Sequence, residues 1–200
     1  MIKEPFVKKL YGKRFVGHSW DHIERVHNMG MRIAKNEKKV NRKVLDAALW
    51  LHDIAREKEF EKGVCHATEG AKMVVPILNG LKFSGEEINL VSEAIEVHRF
   101  SKGKKAEFIE AKILQDADRL DALGAVAIAR IFSYGGFTNR PIYDKNNLNS
   151  KNRKTGIGHF YNKQLKLKPN TFHTKIAREI AKKRYNFIKL FLKNFYEEIK

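Results

Sequence analysis

The sequence predicts an all-α protein, and three observations carry that expectation. Apolar residues recur at helical spacing through most of the chain. The 200 residues include only 4 prolines, so little interrupts that periodicity. No segment shows the sustained apolar–polar alternation of a half-buried strand.

The elements follow in order. The first helix starts near Trp20 and gathers Ile23, Val26, Ile33 and Ala34 on one side. A second begins near Asn41 and carries Leu45, Ala48, Leu49 and His52 along its buried stripe. Residues 58–64 are charged and include Lys62-Gly63, which reads as a loop. A third helix runs from about His66 through Leu78, interrupted late by Pro76, and stops at Asn79-Gly80. Ser84-Gly85-Glu86-Glu87 supplies the acidic first turn of a fourth, with Ile88, Val91, Ile95 and His98 facing inward. Residues 101–105 form an exposed basic turn, and the longest apolar helix follows from Phe108 to Phe132, ending at Gly135-Gly136. Residues 137–154, polar and rich in Asn and Lys, read as a long loop of the kind that often serves function. Helices near 155–166 and 171–198 close the chain. With neither repeats nor a low-complexity linker, one domain over 1–200 is expected, its motif-bearing core about 18–135 and its C-terminal helices about 155–198.

Bulk properties narrow the classes. No stretch approaches the roughly 18 consecutive apolar residues of a membrane span, and the first residues lack the apolar core of a secretory signal. The single cysteine, Cys65, has no internal disulfide partner, so a cytoplasmic location is expected. A net charge of +17 concentrates anions at any cleft. A nucleotide and a nucleic acid both fit that field. Lys-rich surfaces also accompany heat adaptation, so charge alone selects no partner.

The informative chemistry is His52-Asp53, closing the apolar run Ala47-Ala48-Leu49-Trp50-Leu51. Buried without partners, an imidazole and a carboxylate each cost several kcal/mol, about the range for unpaired polar groups. A divalent cation satisfies both at once. Asp118 falls in a similarly apolar segment with Asp116 and Asp121, where carboxylates are expensive unless a cation, Arg119 or Lys112 neutralises them. His22 shares a helical face with Val26 and with His18, if the helix reaches back that far. Taken alone it reads better as a surface cap or a satisfied core histidine.

Together these residues carry a resemblance. The order His22, His52-Asp53, Asp118 resembles the H…HD…D signature of the HD-domain metal-dependent phosphohydrolases. Asp21-His22-Ile23-Glu24-Arg25-Val26, Leu49-Trp50-Leu51-His52-Asp53-Ile54 and Ala117-Asp118-Arg119-Leu120-Asp121-Ala122 are each similar to that family's local contexts. A later segment, His159-Phe160-Tyr161-Asn162-Lys163-Gln164-Leu165-Lys166-Leu167, resembles one that recurs in its small stand-alone members. The resemblance covers roughly residues 18–190. It implies an all-helical HD fold, a cytosolic hydrolase, and metal ligation by His22, His52, Asp53 and Asp118.

Two neutral imidazoles and two carboxylates suit a divalent ion without extinguishing its Lewis acidity. Mn or Fe is favoured, with Mg, Co, Ni and Zn open. His66 and His98 resemble histidines that hold a second ion in relatives with more than one metal; binding phosphate or moving protons are the alternatives. Arg56 and Arg99 are candidate phosphate clamps. Glu57 is the candidate general base, Asp121 a catalytic residue that orients a water or a ligand, and His18 a supporting neighbour of the ligands. Thr155, His159 and Lys163 fall at i, i+4 and i+8, a stripe that serves either as substrate wall or as an exposed helix face. Cys65, adjacent to His66, reads as structural.

The expected activity is hydrolysis of a small phosphorylated substrate. Within the resemblance a nucleoside triphosphate cleaved to monophosphate and pyrophosphate is favoured. A 5′-nucleotidase or cyclic-nucleotide phosphodiesterase is the alternative on the same fold. From another class, a basic nucleic-acid- or nucleotide-binding protein without turnover would also use the charge, but no helix-turn-helix spacing or aromatic-interleaved basic strand supports it. No membrane partner is expected. The last helix, with Phe187, Leu190 and Phe195, reads as core closure or the face of a homodimer.

Overall fold

The computed structural model describes residues 1–11, 20–99, 103–146 and 154–200. All elements among them are helical, as the periodicity predicts. His18 and the loop positions 147–153 lie outside the described residues. The chain divides into two compact units, Met1–Asp118 and Arg119–Lys200.

The first unit contains α1 (Glu4–Leu10), α2 (Trp20–Ala34), α3 (Arg42–Leu51), α4 (Arg56–Lys62), α5 (His66–Gly80), α6 (Gly85–Val97) and most of α7 (Ile109–Asp121). The caps explain several boundaries. Asn41 Oδ1 accepts from the amides of Lys43 and Val44, each at 3.1 Å, and so starts α3. Ser84 and Glu87 form a reciprocal capping box at the head of α6. Gly63 ends α4 in the left-handed region, φ 68°.

Packing then fixes the layers. Helix α3 lies against α2 and α6, and α6 lies against α5. Gly30 lets α2 close on α3, because a Cβ there would sit 2.4 Å from Leu49 Cδ2. The core runs through Ile23, Val26, Leu45, Leu49, Leu51, Val91, Ile95 and Leu114, all at most 1% exposed. The N-terminal segment is tied to this core. Ile2 N donates to the buried Asp46 at 2.7 Å, and the Tyr11 hydroxyl donates to the Trp50 carbonyl at 2.6 Å.

The second unit holds the last residues of α7, then α8 (Ala125–Phe137), α9 (Gly156–Asn162), two short 3-10 turns and α10 (Lys175–Glu198). Phe132, Phe160, Phe191 and Phe195 make a chain of ring contacts with centroids 5.6–6.0 Å apart. Ala177, Ala181, Ile188 and Leu192 of α10 are buried, so this face of the helix closes the unit's core.

Four local expectations change. Residues 58–64 are mostly helix: acidic Glu57 and Glu59 in the first turn favour α4, and its end at Gly63 matches the glycine signal. Pro76 sits inside α5 without ending it. The helix expected over 108–132 is two. It breaks at Gly124, whose φ of +84° suits glycine and where the Arg184 side chain would lie 3.1 Å from any added Cβ. Helix α1 went unread, since its seven residues offer one buried position, Val7.

Candidate metal centre

Helix α3 ends at Leu51, and the turn that follows carries His52 and Asp53 away from its axis. His22 comes from α2 and Asp118 from α7. His22, His52 and Asp53 are 1%, 0% and 2% exposed, and the Asp118 side chain 20%. Their donor atoms converge. His22 Nε2 lies 3.4 Å from His52 Nε2, 3.5 Å from Asp53 Oδ2 and 3.6 Å from Asp118 Oδ1. His52 Nε2 lies 3.8 Å from Asp53 Oδ2. Ligands about 2.1 Å from one ion sit roughly 3.0–3.4 Å apart, so a small contraction brings His22, His52 and Asp53 to metal-binding geometry, with Asp118 beside His22.

The other oxygen of Asp53 faces a second group. His66 Nε2 and His98 Nε2 lie 3.4 Å and 3.6 Å from Asp53 Oδ1, and 3.3 Å from each other. The carboxylate thus stands between two donor clusters, His22–His52–Asp53 and Asp53–His66–His98.

Tautomers decide what these clusters hold. His52 Nδ1 meets the Leu49 carbonyl at 2.9 Å, and His98 Nδ1 meets the Ile95 carbonyl at 2.6 Å. His66 Nδ1 meets Glu59 Oε2 at 2.9 Å. Carbonyl and carboxylate oxygens only accept, so each Nδ1 carries the proton and each Nε2 of the neutral ring is a bare lone pair. Three lone pairs therefore point toward one carboxylate. Burial also keeps two of these rings neutral: desolvation lowers His52 and His66 to about 4, against the pull of Asp53. Burial works to raise Asp118, but the charge that the surrounding imidazoles, His22 first, take up when protonated in acid holds it at about 2. Neutral imidazoles with Nδ1 anchored and ionised carboxylates are the donor state that a divalent ion takes.

Arginines border the Oδ1 side. Arg56 Nε lies 2.9 Å from Asp53 Oδ1, and its Nη1 donates to Glu59 Oε2 at 2.8 Å. Arg99 Nη1 donates to Glu59 Oε1 at 2.5 Å and lies 3.6 Å from Cys65 Sγ. Burial would raise Glu59, but its His66 hydrogen bond and the two arginines bring it down to about 2. Glu59 thus holds His66, Arg56 and Arg99 together.

The sequence missed Glu59 and put weight on Glu57. Glu57 forms no hydrogen bond or ion pair among the described residues, because α4 turns it away from the face that carries Arg56 and Glu59. Read as a helix, the spacing of Arg56 and Glu59 at i and i+3 would have found the pair. Asp121 belongs to the second unit, where Arg130 Nη1 pairs with its carboxylate. His159 and Lys163 also lie there, at the last turn and C-cap of α9. Thr155 is that helix's N-cap, its hydroxyl accepting from Gly158 N at 2.9 Å, so it is committed to the backbone.

Comparison with known proteins agrees with this geometry. Residues 19–123 match the HD domain family. The chain is 30% identical to the uncharacterized protein YpgQ of Bacillus subtilis over 194 residues, covering 97% of this chain and 90% of YpgQ. An HD-superfamily hydrolase from Bacillus thuringiensis superposes with a TM-score of 0.75 at 36% identity, over 97% of this chain and 93% of that one. The crystal structure of B. subtilis YpgQ in complex with ADP superposes with a TM-score of 0.73 at 26% identity, over 98% and 94%. With ligand order, fold and family match in agreement, this chain belongs to the HD-domain superfamily of hydrolases.

Proposed function

We propose that the chain is a metal-dependent phosphohydrolase of nucleotides, cleaving a nucleoside triphosphate to the monophosphate and pyrophosphate. The observation that carries this reading is the convergence of the bare Nε2 atoms of His52, His66 and His98 on the two oxygens of Asp53. Apolar packing has no use for facing lone pairs at 3.3 Å. A cation resolves them.

His22, His52, Asp53 and Asp118 would hold the first ion, with Mn or Fe favoured by the mixed nitrogen and oxygen set. Such an ion supplies Lewis acidity and lowers the pKa of a bound water. The chain's own residues do the rest. Asp53 fixes its orientation through Arg56. Glu59 holds the His66 ring by its Nδ1 proton, leaving Nε2 free to accept a proton or to ligate. Arg56 and Arg99, both held by Glu59, bring positive charge for phosphoryl oxygens. The ADP bound by the relative YpgQ supports a nucleotide as ligand.

The test is to strip the protein of metal and supply Mn, Fe, Co, Ni, Mg or Zn separately with a panel of nucleoside tri-, di-, mono- and cyclic phosphates. Mass spectrometry distinguishes pyrophosphate from phosphate release. Metal-restored pyrophosphate release is expected; phosphate release alone, or no turnover with any pair, overturns the reading.

A further inference from the structure

The +17 charge is not spread evenly. Residues 1–118 carry 22 Lys and Arg against 18 Asp and Glu, whereas residues 119–200 carry 18 against 5. The first unit is close to balanced and the second holds +13 of the net charge. A heat-adapted ion-pair surface needs both signs, and the second unit lacks the acids to build one.

Helix α10 carries seven of these 18 basic residues and three of the five acids, and four of its lysines are ordered along one face. Lys175, Lys182, Lys189 and Lys193 are all exposed. At about 100° per residue they fall within an arc of about 40°, with exposed Asn186 and Glu179 along one edge. The stripe lies on a separate face from Ala177, Ala181, Ile188 and Leu192, which are buried in the unit's core. Arg178 borders it, anchored by its donation to the Phe172 and His173 carbonyls at 2.9 Å and 2.7 Å. Two glutamates edge the stripe: Glu197 lies 3.9 Å from Lys193, and exposed Glu179 stands four residues after Lys175 and three before Lys182.

We propose that this stripe is a nucleic-acid docking surface that grips the phosphodiester backbone without reading bases. From Lys175 to Lys193 it spans about 27 Å, a length along which one strand carries about eight phosphates. A mononucleotide presents its charge at one point and cannot engage such a line. An anionic membrane surface fits less well, because the apolar face of α10 is committed to the core and only Phe187 and Leu190 remain exposed to insert. The stripe shares no residue with the metal centre, so its test needs no turnover.

The experiment measures fluorescence anisotropy of a labelled 20-nucleotide DNA or RNA with the full chain in EDTA across a salt series. Wild type is expected to give a log K against log salt slope of magnitude about 3 to 4. The variant K175Q/K182Q/K189Q/K193Q is expected to lose tenfold or more in affinity and most of that slope, at about one unit per lysine. A charge-matched control, K9Q/K35Q/K38Q/K62Q, removes four exposed lysines from the first unit and is expected to bind like wild type. Circular dichroism melts check that both variants fold. Equal loss in the two variants, no binding by wild type, or tighter binding to anionic lipid vesicles than to nucleic acid overturns the proposal.

Discussion

The two sides of Asp53 share one carboxylate and differ in what surrounds it. On the Oδ2 side stand a second carboxylate, Asp118, and two imidazoles. On the Oδ1 side stand two imidazoles and the Arg56 guanidinium, with Arg99 one step further through Glu59. The first side is rich in negative charge and the second is already partly neutralised. A divalent ion therefore has more to gain on the Oδ2 side than on the Oδ1 side, where Arg56 already answers part of the charge. One carboxylate divides two donor clusters of unequal charge.

The most severe way to break that contrast is Asp53→Ala, which removes the carboxylate common to both sides. It is expected to abolish metal binding and to lower turnover by at least about a thousandfold, as loss of metal chemistry does. The helical circular dichroism spectrum should survive, and retention of full activity would sink the metal hypothesis.

Next in size are substitutions that separate the sides. His52→Gln or Asp118→Asn should weaken the tightest ion by about a hundredfold or more, since each deletes or neutralises a direct ligand. His98→Gln should leave that ion bound and instead raise KM or remove a second, weaker ion. Metal stoichiometry by elemental analysis, read beside nucleotide KM, distinguishes them; identical profiles for the three variants would erase the contrast. A smaller effect is expected from Glu59→Gln, which keeps the shape but loosens the hold on His66 and both arginines. A loss of about ten- to a hundredfold in activity suits a group acting through its neighbour, and unchanged kinetics would show that the His66 ring needs no anchor.

The pH response treats both sides alike and so sharpens the comparison. In the metal-free chain His52 and His66 each fall from an ordinary 6.5 to about 4. Between those values the unfolded chain binds more protons than the folded one, so stability is full above pH 6.5 and falls as pH drops toward 4. Each ring contributes on the order of a few kcal/mol at most. Thermal melts in EDTA from pH 7.5 to 4.5 should show a falling Tm that is flatter in both His52→Gln and His66→Gln. A pH-independent Tm would mean that the rings are not held neutral.

How far the sequence could be read depended on contrast. His52, Asp53 and Asp118 stood out because each interrupts a strongly apolar helical stripe, and the structure brings them together with His22. The fold class was legible for the same reason, as were starts marked by side-chain caps at Asn41 and Ser84. Glu59 was hidden because α4 buries no residue completely and so shows no stripe from which to count. The break at Gly124 was hidden by apolar residues on both sides of it; the signal was the glycine, whose need for positive φ outweighs the surrounding helical pattern. Nothing in local pattern tells that Asp121, three residues beyond Asp118, pairs with Arg130, since that choice depends on a helix folded back from later in the chain.

The anchored Nδ1 protons carry a practical consequence. Because the Leu49 and Ile95 carbonyls and the Glu59 carboxylate select the tautomers in advance, the donor atoms of the folded chain stand ready, while the unfolded chain has no such cage. An ion that fits is then a folding ligand, raising stability by RT ln(1 + [M]/Kd). A melting screen across metal salts can therefore rank the candidate ions with no substrate in the tube. The protein reports its preferred ion through how hard it is to unfold.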